Sequence, residues 1–132
     1  MPHIKSILLS GFEPFENRPK NSSWELIKSF PDKFESAQIF KARIPVVHKK
    51  GWQTLKKHID QFEPDAVISF GEAPSEKYCL ERFALNIADY RIKDNEGNQI
   101  KDQKLDPDGP VAYESTLPLS KIKTSLESAG VQ

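Results

Sequence analysis

Apolar residues fall along the chain in runs whose period changes several times. "IKSILLSG" places an almost continuous apolar stretch from Ile4 to Ser10 ahead of Gly11, which predicts a buried strand. Ser22 and Glu25 stand at capping-box spacing, and Trp24, Leu26, Ile27 and Phe30 follow the pattern of a short helix. "AQIFKARIPVV", Ala37 to Val47, alternates imperfectly and contains Pro45, so the strand it predicts ends near Ile44. From Lys49 to Phe62 the apolar Trp52, Leu55, Ile59 and Phe62 recur at helical spacing. Pro64 and Asp65 break that helix, and "AVISFG", Ala66 to Gly71, predicts a second continuous strand closing on glycine.

Beyond Gly71 the pattern weakens. "KYCLERFALNIADYRI" is strand-like in parts, and "KDNEGNQIKDQKLDPDG" is polar. Leu119, Ile122, Leu126 and Ala129 then share one helical face, with Gly130 placed to cap the end. Strand, helix, strand, helix, strand in that order predicts an α/β layered fold with a largely parallel sheet, residues 1–132 forming a single domain. Each helix of a parallel sheet crosses over to a next strand, and Val131 reads as the return into one, so the architecture looks unfinished at its C-terminus. An unpaired edge and an uncovered apolar surface are expected there, suited to a homo-oligomer or a complementing C-terminal segment.

Composition narrows the function classes. Lys and Arg number 19, as do Asp and Glu, so no net field recruits nucleic acid or an anionic membrane. An apolar fraction of 37% with 8 Phe and 2 Trp suits a packed core. No apolar run approaches the roughly 20 residues of a membrane span, and "ILLS" is too short for a signal-peptide core, so a cytoplasmic protein is expected. Lys49, Lys50, Lys56, Lys57 and His58 share the polar face of the second helix, and a solvated face explains them better than a nucleic-acid patch.

Candidate chemistry concentrates in two loops. Ligands of open α/β sheets bind beyond the carboxyl ends of the strands. Phe12 to Phe15 follows the first strand, and Gly71 to Ser75 follows "AVISF". Gly71 permits close backbone approach to a ligand, whereas Phe12 and Phe15 fit either a ligand site or core plugs folded back from the loop. Glu81, between Leu80 and Arg82, is either a partnered charge at a strand end or a tuned catalytic group. His3, His48 and His58 lack metal-ligand spacing, and Cys79 is the one cysteine, so neither a metal nor a disulfide framework is expected. "DNEGNQ" has its glycine misplaced for a calcium loop and reads as a turn. Nucleotide-binding glycine patterns are absent, and no cofactor is expected.

Four ordered motifs, "GFEPF" (Gly11 to Phe15), "NSSWE" (Asn21 to Glu25), "ERFALNIADYRIKDNEGNQ" (Glu81 to Gln99) and "GPVAYESTLPL" (Gly109 to Leu119), resemble the pyroglutamyl peptidase I family. The resemblance implies a three-layer α/β/α sandwich in a cytosolic cysteine peptidase that removes N-terminal pyroglutamate from peptides. Pyroglutamate is a flat lactam without a charged α-amine, so its pocket should be apolar on its faces with a few fixed hydrogen bonds. By resemblance, Phe12 and Phe15 hold the ring, backbone groups near Gly71 and Glu72 pair with the lactam amide, and Arg91 stands near the active site. The family triad is Cys, His and an acid; the matching acid is Glu81.

The departures bear on activity. The segments that carry the family's nucleophile and base have no counterpart in the 132 residues. Cys79 stands in the wrong motif and is expected to be a small buried thiol. "ENR" replaces a glycine pair after "GFEPF", "PSEK" replaces a Gly-Gly-Arg after the second glycine strand, and Ser22 replaces a proline. The chain is thus expected to keep the ring site and acid of such a peptidase but to be inactive alone. The alternative is a non-catalytic homologue or binding module for a pyroglutamyl or other lactam ligand.

Overall fold

The first strand carries the most apolar run of the chain, and it occupies the middle of the sheet. In the computed structural model, which describes residues 3–132, β1 (Ser6–Phe12) lies between β3 (Ala37–Ile44) and β4 (Ala66–Ser69). Both pairings are parallel, with Leu8 opposite Phe40 on one side and Val67 on the other. A two-residue strand, β2 (Lys33–Phe34), pairs antiparallel with β3 at the outer edge. The sheet order is therefore β2-β3-β1-β4, with β4 at the other edge among the described residues.

Alternation along β1 sends successive side chains to opposite faces, and one helix covers each face. Leu8 packs with Ala42 and Ile44 against Leu55, Ile59 and Phe62 of α2 (Lys50–Phe62). Leu9 packs with Ile39 against Ile27 and Trp24 of α1 (Ser22–Lys28). Helix, sheet and helix make a three-layer α/β/α arrangement, as expected. Leu8 is 0% exposed, and full burial of a leucine stabilises a fold by about 1.5–3 kcal/mol. Phe40 and Phe62 stack with ring centroids 4.2 Å apart, joining β3 to α2. Trp52, expected on the apolar face of α2, is instead 61% exposed, and Leu55, Ile59 and Phe62 make the contact without it.

The cap of α1 also differs from expectation. Asn21, not Ser22, is the N-cap; its Oδ1 accepts from the Ser23 N–H at 3.0 Å and from Ser23 Oγ at 2.6 Å. Glu25 pairs with Lys28 rather than closing a capping box. Gly11 is required here because a Cβ would lie 2.8 Å from the Ser23 carbonyl carbon and oxygen.

The chain separates into two units: residues through Ala73 together with Ile92–Asn98, and Pro74–Arg91 together with Gln99–Gln132. The second contains an antiparallel pair, β5 (Phe83–Leu85) and β6 (Ala112–Glu114), with an isolated bridge between Ala88 and Gln103. Its hub is Asn86, buried, which donates to the carbonyls of Asp106 and Pro110 and accepts from the Asp106 N–H. Helix α3 (Leu119–Ser128) ends in Gly130 at φ 79°, as its sequence predicts. The Gly130 and Val131 N–H groups return to the carbonyls of Glu127 and Leu126, a Schellman closure. No helix among the described residues is long and apolar enough to cross a membrane.

Candidate functional site

The first unit brings together the two loops singled out by the sequence. Because β1 and β4 run parallel, their carboxyl ends open on the same edge of the sheet. Phe12 is the last residue of β1, and Gly71 lies two residues past the end of β4. A Cβ built on Gly71 would stand 3.8 Å from Phe12 Cε2. Phe12 is half-buried and leans on the Leu8–Ala42–Ile44 cluster, so it is at once a plug of the core and a wall of the edge. Phe15 is also half-buried, with the Arg18 guanidinium 5.9 Å from its ring centroid.

The loop is fixed at several points. Phe12 N–H donates to Ser23 Oγ at 2.9 Å, coupling the end of β1 to the first turn of α1. Phe15 to Arg18 closes as a turn through the Arg18 N–H to Phe15 carbonyl bond, with Glu16 at φ 54° and Asn17 at φ 56°. These are the two positions where the resemblance expects glycines. Both backbones are left-handed, a conformation glycine adopts without strain, and two side-chain-bearing residues take it here.

Glu72 takes a role that the sequence did not suggest. Its carboxylate accepts from the Ser22 N–H at 2.9 Å, Ser22 Oγ at 3.0 Å and an Arg18 guanidinium nitrogen at 2.5 Å. The Ser22 backbone bond, followed by the Ser22 hydroxyl bond, holds its pKa below the ordinary carboxylate range, with the Arg18 charge adding to the effect. The side chain thus fastens the loop after β4 to the start of α1 and to Arg18. Ser22, where the resemblance expects a proline, supplies both an N–H and a hydroxyl to this clasp.

Two further residues, Glu13 and Asn95, escaped the sequence reading. Asn95 sits in the "DNEGNQ" turn, which closes through the Asp94 N–H to Asn98 carbonyl bond with Gly97 at φ 85°. Asn95 Nδ2 reaches Glu13 Oε1 and the Pro14 carbonyl, both at 2.9 Å. The only hint in the sequence was that a turn rich in Asp and Asn follows a strand-like run. Asp94 organises that turn: its carboxylate accepts from the N–H groups of His48, Glu96 and Asn98. Burial opposes its ionisation, but these bonds and the Asn98 side chain prevail and bring its pKa from 3.8 down to about 2.

The remaining predicted residues lie in the second unit. Glu81 is exposed just ahead of β5, and the partnered charge at that strand end is its neighbour Arg82, bonded to Glu114 at 3.1 Å. Arg91 is exposed, and its carbonyl accepts from Gln99 Nε2 at 3.0 Å. Cys79 was expected to be buried and is exposed, because it falls in an irregular segment between β4 and β5 that has no packed face.

Comparison with known proteins gives one answer throughout. Residues 5–132 match the family model described as pyroglutamyl peptidase. A pyrrolidone-carboxylate peptidase of Fusobacterium nucleatum is 41% identical over 129 residues, which cover 97% of this chain and 60% of that protein. One from Thermosipho melanesiensis is 45% identical over 123 residues, 92% of this chain and 61% of its own length. Among solved structures, a pyroglutamyl peptidase I from Bacillus amyloliquefaciens superposes with a TM-score of 0.93 at 34% identity, over 98% of this chain and 62% of that one. A mutant pyrrolidone carboxyl peptidase from the hyperthermophile Pyrococcus furiosus gives 0.92 at 38% identity, over 96% and 62%. The chain therefore spans about 60% of the length of the curated relatives it matches.

Proposed function

We propose, from the premise that the chain belongs to the pyroglutamyl peptidase family, that it carries the lactam-ring site and the triad acid of a cysteine peptidase acting on peptides with an N-terminal pyroglutamate. The observation that carries this reading is the Phe12–Phe15 loop held at the carboxyl end of β1 beside Gly71. A flat uncharged lactam suits aromatic faces and a few fixed backbone groups, and the half-buried Phe12 and Phe15 with Gly71 beside Phe12 support that match. Gly71 leaves the backbone approachable, and the Glu72 carboxylate is turned away to Ser22 and Arg18, leaving main-chain groups to meet the lactam amide.

The roles of Glu81 and Arg91 rest on the motif match. In such a triad a thiolate attacks the pyroglutamyl carbonyl to form an acyl-enzyme, and a histidine accepts and then returns the proton. The carboxylate, here Glu81, orients the imidazole. The 132 residues offer one thiol, Cys79, and it stands in the wrong motif for the nucleophile. The reading therefore assigns ring binding to this chain, and no turnover to it alone. Losing a triad member leaves roughly 10³–10⁴-fold over water, against about 10⁶-fold or more for a working enzyme.

Two measurements on the 132-residue chain test this. Titration with pyroglutamyl amide should shift the ring resonances of Phe12 and Phe15, and Phe12→Ala should weaken binding about tenfold or more. A chromogenic pyroglutamyl anilide should not be hydrolysed. Turnover at a rate typical of a cysteine peptidase, abolished by Cys79→Ser, would make Cys79 the nucleophile and overturn this reading.

A further inference from the structure

We propose that Asn95 is a positioning residue for the ring site, acting through Glu13 to set where Phe12 and Phe15 stand; the inference rests on the lactam-ring reading above. Glu13 lies between Phe12 and Pro14, so its placement governs the loop. Its N–H donates to the Ile44 carbonyl at 3.0 Å, and its own carbonyl accepts from Asn21 Nδ2 at 3.2 Å. A single carboxylate oxygen, Oε1, then accepts from the Val46 N–H at 3.0 Å and from Asn95 Nδ2 at 2.9 Å.

The second hydrogen of the same Asn95 amide completes the fastening. It reaches the Pro14 carbonyl at 2.9 Å, so one side chain grips both the carboxylate and the backbone of the loop. Proline cannot donate, and the Pro14 carbonyl is thus the handle that this residue offers. Asn95 in turn is not free to wander. Its N–H donates to the Val46 carbonyl at 3.0 Å, and Asp94 beside it accepts from the His48 N–H at 2.7 Å. The exit of β3, the "DNEGNQ" turn and the aromatic loop are therefore bonded in a closed circuit of Val46, Asn95 and Glu13.

Hydrogen bonds to a charged acceptor are stronger than neutral ones, and a closed circuit resists displacement of any one member. A Cβ built on Gly71 would meet Phe12 Cε2 and no atom of Glu13 or Asn95 within 4 Å. Their effect on a ligand passes through the position of the two rings, which is what separates a positioning residue from a contact residue. The pair is also chemically specific, since it needs one carboxylate and one amide, with the amide hydrogens pointing toward Glu13 Oε1 and the Pro14 carbonyl.

That specificity supplies the test. Amide exchange across residues 12–18 and binding of pyroglutamyl amide are measured for the 132-residue chain and three variants. Asn95→Ala should weaken binding about tenfold or more and speed exchange in the loop by a similar factor, while the central β1 amides stay protected. Asn95→Asp, which sets two carboxylates against each other, should be at least as damaging. Adding Glu13→Gln to Asn95→Asp removes the clash of two carboxylates and restores one amide–carboxylate bond, but leaves the Pro14 carbonyl without its donor, so it should recover binding only in part. A wild-type chain that binds while Asn95→Ala binds equally well overturns the proposal. A double variant that binds no better than Asn95→Asp alone overturns it as well, since the repulsion between positions 13 and 95 would then not be what displaces the rings. A wild-type chain that does not bind pyroglutamyl amide removes the ring reading itself, and the positioning role falls with it.

Discussion

The unit built around the four-stranded sheet and the unit that holds β5, β6 and α3 are put together by different means. In the first, Leu8, Leu9, Ile27, Ala37, Ile39, Ala42 and Ile44 are all buried, and each face of the sheet has its helix. In the second, Ala88 is the one buried apolar residue, while Tyr78, Leu80, Phe83, Leu85, Ile87, Leu105, Val111 and Tyr113 are exposed. What organises it instead is polar: Asn86 at the hub, and the Ala88–Gln103 bridge closed by hydrogen bonds in both directions. A two-stranded ribbon has no second layer to bury its side chains, so apolar content there does not become a core. Hydrophobic burial is non-directional and tolerates small shifts, whereas a hydrogen-bonded hub fails when one partner is removed.

The sharpest way to break this contrast is to truncate one leucine in each unit. Leu8→Ala should cost about 2–5 kcal/mol, since it removes transfer energy and leaves a cavity between β1 and α2. Leu85→Ala, at a side chain 63% exposed, should stay within about 0.5 kcal/mol. Urea unfolding of both variants checks this, and equal losses would mean that Leu85 is covered in solution.

Next in size is the polar hub. Asn86→Ala strands the carbonyls of Asp106 and Pro110 and the Asp106 N–H, and should cost about 1–3 kcal/mol. The loss should appear as faster amide exchange at Asn86, Asp106 and β6, with β1 and β3 unchanged. Exchange that rises equally in β1 would show that the two units unfold together.

The smallest effect concerns pH. Asp94 has a folded pKa of about 2 against an ordinary 3.8. A carboxylate lowered on folding stabilises the fold above its unfolded value, and that contribution disappears as pH falls from about 3.8 toward about 2. Asp94→Asn should therefore be less stable than the wild type at pH 6, with the difference shrinking through that window. Urea midpoints at pH 6, 4 and 2.5 measure it. A difference independent of pH would mean that the Asp94 charge does not contribute.

Much of the fold was legible because its signals are local and periodic. The run Ile4–Ser10, the spacing of Leu55, Ile59 and Phe62, and the glycine after α3 each report a structure that neighbours in sequence can establish. The strands β2 and β6 were missed, since two or three residues carry no period. The cap was assigned to Ser22 because Ser22–Glu25 has the capping-box spacing, although Asn21 caps better and its Oδ1 is also held by the Ser23 hydroxyl. Cys79 was read as buried from residue type alone, and type does not say whether a segment finds a layer to pack against.

By itself the sequence determined the α/β pattern, a buried first strand, the two loops at the sheet's carboxyl edge and, through four ordered motifs, the family. Periodicity and motif are properties of residues close along the chain, and they survive translation into structure. What only the tertiary structure decided is which distant groups meet. Glu13 and Asn95 are 82 positions apart, and Arg18 and Glu72 are 54 apart. Nothing in the spacing of such residues marks them as partners. A hydrogen bond acts over about 3 Å, and only the folded path of the backbone brings two side chains within that reach.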